Sequence, residues 1–130
     1  MIGPDVEQRL VSAATDARTR ALCQYSGFAV GAAIEDADGK VWSGCNIENS
    51  TFGLTVCAER VAIWKALSEG VRDFRAVAVV TGASEPTPPC GACRQILWQF
   101  ARDVPIVSAT TGGKRKQYRL SEIFPEPFDF

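Results

Sequence analysis

The chain has 130 residues and a mass of 14.0 kDa, so we expect a single domain over residues 1–130. Its 14 basic and 15 acidic residues leave a net charge of −1, which argues against a protein that binds nucleic acid. The sequence has no histidine, and this excludes Ser-His-Asp triads, Cys-His pairs and imidazole metal ligands. Any catalysis must therefore use Cys, Asp, Glu, Lys, Ser or backbone groups.

The first third of the chain predicts one helix and one β-hairpin. Apolar residues recur at steps of three and four over residues 4–23, which is typical of an amphipathic helix. Residues 28–34 and 41–47 are predicted strands, and residues 36–40 form the turn between them. Gly39 supplies the positive φ that such a turn needs.

The rest of the chain alternates helices and strands after a loop. Residues 57–67 predict a helix that is apolar around most of its circumference, which indicates a subunit interface in so short a chain. Residues 74–81 form a continuously apolar strand, followed by a helix at 90–102 and strands at 105–109 and 117–120. The order predicts an α/β fold, a three-layer α/β/α sandwich with a mixed five-stranded sheet.

The cysteines carry the chemical signal. Their odd number, five, disfavours a disulfide framework, and the N-terminus lacks the apolar run of a signal peptide. The longest apolar runs are too short to cross a bilayer. We therefore expect a cytoplasmic protein with free thiols and no membrane partner.

Three of these cysteines have the spacing of metal ligands. Cys90 and Cys93 lie three residues apart at a predicted helix start, so both sulfurs point to one side of the first turn. Cys57 begins the preceding helix and adds a third sulfur. Three protein ligands and an open fourth position are typical of catalytic zinc. Glu59 then faces the open position as a general acid–base group, and Arg60 can donate to a ligand sulfur.

Other interpretations of these residues stay open at this point. The Cys90–Cys93 pair also fits a thioredoxin-like redox motif. Cys23 or Cys45 can complete a closed structural zinc site, although both also fit as small buried apolar residues. Glu59 can be an ordinary first-turn carboxylate that interacts with the helix dipole.

Four ordered motifs carry a resemblance to a known family. They are Tyr-Ser-Gly-Phe-Ala-Val-Gly-Ala-Ala at 25–33, Gly-Cys-Asn-Ile-Glu-Asn at 44–49, Cys-Ala-Glu-Arg at 57–60 and Pro-Cys-Gly-Ala-Cys-Arg-Gln at 89–95. Together they resemble the small, homotetrameric, zinc-dependent cytidine deaminases. The resemblance implies a cytidine deaminase-like fold and a tetramer whose subunits share active sites.

The resemblance also implies the reaction and the metal site. Cys57, Cys90 and Cys93 correspond to the ligands of one zinc ion per subunit, and Glu59 to the proton shuttle. The implied reaction is hydrolysis of cytidine and 2′-deoxycytidine to uridine and 2′-deoxyuridine plus ammonia, a step of pyrimidine salvage. Such an enzyme is a hydrolase acting on a C–N bond of a cyclic amidine.

Five further residues correspond to substrate contacts of that family. Asn46 and Glu48 correspond to the pair that binds the ribose 3′-hydroxyl, and Phe28 to an aromatic pocket wall. Ala58 lies where a backbone amide contacts the base. Phe128 corresponds to an aromatic residue that reaches a neighbouring subunit's pocket.

Three positions depart from the family pattern, and two other functions remain possible. Gln24, Phe52 and Pro127 replace residues that are more usual in the family, and none of the three belongs to the zinc motifs. A deaminase of the blasticidin-S type would use the same fold and zinc site. A zinc-binding module without catalytic activity is the second alternative.

Overall fold

The computed structural model describes residues 1–129, which form a mixed five-stranded sheet flanked by helices. Two central strands run parallel and every other neighbouring pair is antiparallel. The strands are β1 (Val30–Asp36), β2 (Val41–Cys45), β3 (Phe74–Thr81), β4 (Pro105–Thr110) and β5 (Arg115–Arg119). Their spatial order is β2-β1-β3-β4-β5, in which β3 and β4 are the parallel pair.

Within residues 1–129, four α-helices accompany the sheet. They are α1 (Pro4–Arg18), α2 (Ala58–Ser68), α3 (Gly91–Ala101) and the short α4 (Leu120–Ile123), and a 3₁₀ turn spans Phe52–Leu54. Along residues 1–129, none of these helices has the length and apolar character needed to cross a bilayer.

The helices cover both faces of the sheet. Because side chains alternate along a strand, Val77 and Val79 of β3 pack towards α2 and α3, whereas Ala78 and Val80 pack towards α1. Both faces are therefore closed by apolar packing, which explains the continuously apolar sequence of β3. This arrangement confirms the predicted α/β/α sandwich with a mixed five-stranded sheet.

Two glycines let the helices approach the sheet closely. A Cβ atom on Gly31 of β1 would lie 1.8 Å from the carbonyl oxygen of Ala14 in α1. A Cβ atom on Gly44 of β2 would lie 2.8 Å from the backbone nitrogen of Ala62 in α2. Since neither backbone can move away without opening the core, these contacts fix where α1 and α2 lie on the sheet.

The end of α1 differs from the prediction. The periodic pattern extends to residue 23, but the helix ends at Arg18. The chain turns because Leu22 forms two backbone hydrogen bonds to the segment after β2: its N–H to the carbonyl of Asn46 at 3.0 Å, and its carbonyl to the N–H of Glu48 at 2.8 Å. The same pairing ends β2 at Cys45, two residues before the predicted end.

The starts of two strands also differ from the prediction. β1 begins at Val30 rather than at residue 28, because the side chain of Asn46 binds the backbone there. β5 begins at Arg115 rather than at residue 117, since Arg115 pairs with Ala109 of β4. Its charged, exposed residues are those of an edge strand, and they hide the strand pattern in the sequence.

Candidate active site

Two helix N-termini meet at the carboxyl end of β3 and position the three cysteines. Cys57 and Cys90 have extended backbones and immediately precede α2 and α3. Cys93 lies in the first turn of α3 and is fully buried. Each helix thus begins one residue after the predicted start and directs its free N–H groups and partial positive charge towards the sulfurs.

The three sulfur atoms are spaced as zinc requires. The Sγ atoms of Cys57, Cys90 and Cys93 all lie within 4.8 Å of one another, and those of Cys57 and Cys90 are 3.8 Å apart. Tetrahedral coordination with Zn–S bonds of about 2.3 Å separates two sulfurs by about 3.8 Å. Over residues 1–129, no fourth Cys, Asp or Glu joins the cluster, so Cys23 and Cys45 lie outside it. The donor set fits a zinc ion with one open position.

Arg60 polarises this cluster. Its Nη2 atom lies 3.1 Å from Cys57 Sγ. A hydrogen bond from Cys93, together with the Arg60 guanidinium, lowers the pKa of the Cys57 thiol to about 5. The hydrogen bond with Cys57 and burial raise the pKa of the Cys93 thiol. Arg60 and Cys93 thus both favour the thiolate form of Cys57, which is the form that binds a metal cation.

Glu59 is a buried carboxyl group beside the sulfurs. It is the second residue of α2, only 6% of its surface is exposed, and it lines the same cavity as Cys57 and Cys90. Burial raises the pKa of Glu59 to about 7. A carboxyl group with that pKa can accept and release a proton near neutral pH, as a general acid–base residue must.

The cavity next to the cluster has a volume of about 290 Å³ and opens to solvent on one side. Its lining includes Cys57, Cys90 and Glu59, which we call the sulfur end, and Asn46 and Glu48, which we call the sugar end because these two residues are expected to contact the sugar. This volume lies at the lower end of the range for pockets that bind small molecules. One cavity therefore brings together the metal cluster, the buried acid and the residues expected to bind the sugar.

Asn46 holds the wall of the cavity through its amide group. Its Oδ1 accepts a hydrogen bond from Val30 N–H at 2.9 Å, and its Nδ2 donates to the carbonyl of Phe28 at 2.8 Å. One N–H and one lone pair of the amide remain for a ligand. The structure thus gives Asn46 a backbone-holding task that the sequence did not indicate, and it places Phe28 on the cavity wall.

Glu48 is an ionised acceptor at the sugar end. Its Oε1 accepts hydrogen bonds from the N–H groups of Tyr25 and Ser26, both at 3.0 Å, and its Oε2 accepts one from Ser26 Oγ. The Ser26 hydroxyl also accepts a hydrogen bond from Phe28 N–H at 3.0 Å. The Ser26 contacts hold the pKa of Glu48 below its usual value, so the carboxylate offers its remaining lone pair as an acceptor only.

Of the last two residues predicted to contact the substrate, Ala58 lines the cavity and Phe128 does not. Ala58 is buried, lines the cavity and is the first residue of α2, so its N–H has no partner within the helix. Phe128 is 67% exposed and does not line the cavity of its own chain. Its carbonyl accepts a hydrogen bond of 2.9 Å from Gln95 Nε2, which ties the C-terminal segment to α3.

Four hydroxyl groups that the sequence did not single out also line the cavity. They belong to Ser26, Thr55, Thr81 and Thr87. Ser26, Thr55 and Thr87 lie outside the named helices and strands, where no periodic pattern shows which way a side chain points. Thr81 had a usable signal, because it ends an apolar strand with a polar residue, and Ser26 stands within the motif at 25–33.

A three-thiolate cluster with an open position, a buried carboxylic acid beside it and an α/β/α sandwich define a zinc hydrolase of the deaminase class. Residues 4–109 match the family model described as "Cytidine and deoxycytidylate deaminase zinc-binding region". The chain belongs to this family, and its cysteine cluster fits one zinc ion per chain.

Individual relatives agree with this assignment. A cytidine deaminase from Halalkalibacterium halodurans is 45% identical over 122 residues, which cover 93% of this chain and 92% of that protein. The crystal structure of cytidine deaminase from Burkholderia pseudomallei superposes with a TM-score of 0.90 at 40% identity, covering 93% of this chain and 98% of the other. A blasticidin-S deaminase from Bacillus cereus is more distant, with 32% identity over 89% of this chain and 87% of that protein.

Proposed function

We propose that the chain catalyses hydrolytic deamination of cytidine and 2′-deoxycytidine, giving uridine or 2′-deoxyuridine and ammonia. The observation that carries this proposal is the presence of the three-sulfur cluster and buried Glu59 in one nucleoside-sized cavity. The relatives named cytidine deaminase support it, since they exceed the blasticidin-S deaminase in identity.

In this reaction Glu59 moves the protons. Cys57, Cys90 and Cys93 would hold a zinc ion, and the ion would supply the Lewis acid that activates water towards C4 of the pyrimidine. Glu59 takes one proton of the attacking water and delivers it to N3. It then takes the second proton from the new hydroxyl group on C4 and delivers it to the amine as the C4–N4 bond breaks, which leaves uridine and ammonia. Its pKa of about 7 suits both directions of transfer. Arg60 and the two helix N-termini offset the negative charge of the three thiolates.

The opposite end of the cavity binds the sugar. Glu48 accepts a hydrogen bond from the ribose 3′-hydroxyl, and the unused N–H of Asn46 donates to the same group. Phe28 forms the wall beside the base, and Ala58 N–H donates to the base. A 3′-phosphate would meet the charge of Glu48, so the substrate is a free nucleoside rather than a polynucleotide.

We also propose a homotetramer in which subunits share active sites. Phe128 is exposed and does not line the cavity of its own chain, and the family resemblance gives this position a contact with a neighbouring subunit's pocket. Several other large apolar side chains are exposed, namely Leu22, Ile47, Phe52, Leu54 and Trp64. Light scattering should give about four times the chain mass of 14.0 kDa. A stable monomer with full activity would contradict the shared sites.

A reducing, cytoplasmic location completes the proposal. All five cysteines are free thiols in the structure, as the zinc site and a reducing compartment both require. Oxidation of Cys57, Cys90 or Cys93 would remove a thiolate ligand.

The decisive experiment measures zinc content and the loss of absorbance on incubation with cytidine. We expect about one zinc per chain and rapid turnover of cytidine, with much slower turnover of blasticidin S. Preferred turnover of blasticidin S would favour the antibiotic deaminase. Bound zinc without turnover of either compound would favour a non-catalytic module.

A further inference from the structure

Two threonine hydroxyls in the cavity have no task in the mechanism above. Thr81 ends β3, is only 1% exposed and lines the cavity together with Val79 two residues earlier on the same face. Thr87 lies in the loop before α3, three residues from Cys90, and also lines the cavity. Apolar packing does not require a hydroxyl at either position, since β-branched valine has nearly the same shape as threonine.

The contacts of this pair leave hydrogen-bonding capacity unused. Thr81 Oγ1 accepts a hydrogen bond from Ala83 N–H at 3.3 Å and lies 3.3 Å from Thr87 Oγ1. Both distances are long, because N–H···O hydrogen bonds cluster near 2.9–3.0 Å and O–H···O hydrogen bonds near 2.7–2.8 Å. Each hydroxyl has one proton, and one of the two protons is used in the hydrogen bond between Thr81 and Thr87. The other proton can be donated to a ligand, and Thr87 also has a lone pair that can accept a hydrogen bond from one.

The base orientation in the proposed function decides which part of a substrate meets the pair. C4 of the pyrimidine must lie at the sulfur cluster, and Glu59 at the start of α2 must reach N3 on one side of C4. The other neighbour of C4 in the ring is C5, so the C5 edge points away from the start of α2. The loop that leads to Cys90 and α3 contributes Thr87 and Pro88 to the cavity lining, and the Oγ1 atoms of Thr81 and Thr87 are 3.3 Å apart. Since this loop lies before α3 rather than α2, we expect the C5 edge to face it.

We propose that Thr87, held in place by Thr81, forms a hydrogen-bonding subsite for a polar substituent at C5 of the cytosine ring. The substrate class thus includes cytidines that carry a hydroxymethyl group at C5. This inference rests on the proposed function, because it uses the base orientation that Glu59 imposes. A C5 methyl group offers no hydrogen bond and would leave the threonine hydroxyls without a partner.

The test compares kcat/KM for 5-hydroxymethylcytidine and 5-methylcytidine in the wild type and in Thr87→Val. The kcat/KM for 5-hydroxymethylcytidine divided by that for 5-methylcytidine should be about fivefold to tenfold lower in Thr87→Val than in the wild type, which is the effect of one lost neutral hydrogen bond. Because both enzymes are compared on the same two substrates, the electronic effect of each substituent cancels. Thr87→Ser keeps the hydroxyl and should keep the wild-type ratio.

Thr110→Val is the matched control. Thr110 is the register partner of Thr81 on β4, is also buried, and does not line the cavity. Its ratio should equal that of the wild type, while cytidine turnover and zinc content verify that each variant is folded. An unchanged ratio in Thr87→Val would overturn the subsite, as would a wild type that deaminates cytidine but neither substituted nucleoside. A wild type inactive on cytidine would instead contradict the proposed function itself.

Discussion

The two ends of the cavity are built in different ways. At the sulfur end, two helix N-termini bring Cys57, Cys90 and Glu59 together, and the helices are fixed by packing against the sheet. At the sugar end, Asn46 and Glu48 follow β2 and hold the neighbouring backbone by hydrogen bonds. Glu48 accepts from a backbone N–H, and the Asn46 amide both accepts from and donates to the backbone. The backbone therefore positions the catalytic groups, whereas individual side chains position the groups proposed to bind the nucleoside.

This difference predicts how substitutions at each end should behave. Substitution of a residue at the sulfur end should remove the bound metal or the proton transfer, and it should therefore lower kcat. Substitution of a residue at the sugar end should weaken binding of the nucleoside and raise KM, while the bound substrate reacts at nearly the same rate.

Removal of a metal ligand should have the largest effect. Cys93→Ala deletes a buried sulfur of the cluster, so zinc per chain should fall from about one to near zero and deamination to the background rate. The melting temperature should fall as well, because the metal's binding free energy no longer favours the folded state. Metal analysis, absorbance assays and thermal melts measure the three quantities.

Cys23→Ala is the control for this change, since Cys23 lies outside the cluster. It should keep zinc and activity. Full zinc content in Cys93→Ala would show that the three-sulfur assignment is wrong.

Glu59→Gln should separate metal binding from catalysis. Glutamine keeps the shape of the side chain but cannot transfer protons as a carboxyl group does, so kcat should fall about 10³-fold while zinc content stays unchanged. Turnover under saturating cytidine and metal analysis of the same sample provide the measurement. Wild-type turnover in this variant would remove Glu59 from the reaction.

Glu48→Gln should act on binding rather than on chemistry. It replaces an ionised acceptor of the 3′-hydroxyl by a neutral amide, and hydrogen bonds to charged groups contribute about 1.5–3 kcal/mol. We therefore expect kcat/KM for cytidine to fall about tenfold to 100-fold, chiefly through KM, with no change for free cytosine. If the wild-type enzyme used free cytosine as well as cytidine, the sugar assignment would be wrong.

The contrast between the two ends also explains what the sequence could predict. The spacing of Cys90 and Cys93, and their place at a helix start, follow from local helix geometry, and the structure places Cys57 beside them. The end of α1 depends on the backbone pairing of Leu22 with Asn46, which are far apart in the chain. Such non-local hydrogen bonds leave no periodic pattern, so the prediction extended the helix to residue 23.

The same limit applies to the side chains around the cavity. The resemblance paired Asn46 and Glu48 as sugar contacts, but the sequence gave no sign that the Asn46 amide binds the backbone at Phe28 and Val30. The hydroxyl of Thr87 was not foreseen either, because its orientation is set by a loop rather than by a helix or strand. Local patterns thus located the reactive groups, and tertiary contacts determined how their surroundings are held.

Ser26→Ala should raise KM less than Glu48→Gln does, and it tests whether the support of Glu48 affects binding alone. The Ser26 hydroxyl donates to Glu48 and accepts from Phe28 N–H, so its loss should loosen the carboxylate without removing it. Because Glu48 keeps its hydrogen bonds from the N–H groups of Tyr25 and Ser26, we expect only part of its binding contribution to be lost, about 1 kcal/mol, so that KM for cytidine rises about threefold to tenfold at constant kcat. Ser12→Ala, on the exposed side of α1, is the control. A fall in kcat with unchanged KM would contradict the positioning role.

Asp36→Asn should change stability and leave both ends of the cavity intact. Asp36 ends β1, at the opposite end of that strand from Val30. Its carboxylate accepts hydrogen bonds from Trp42 Nε1 at 3.0 Å and from the N–H groups of Asp38 and Lys40 at 2.9 and 3.0 Å. The Trp42 indole, followed by the backbone contacts, lowers the pKa of Asp36.

A carboxylate whose pKa is lower in the folded state stabilises the protein above its unfolded pKa, about 3.9 for Asp. That contribution disappears as the pH falls through the folded-state pKa. The free energy of unfolding of the wild type should therefore exceed that of Asp36→Asn by a constant amount between about pH 5 and 7, and the gap should shrink below about pH 4. Urea titrations at several pH values measure it. A gap that does not depend on pH would show that the carboxylate's charge is irrelevant, and a changed KM or kcat at pH 7 would show that the turn and the cavity are coupled.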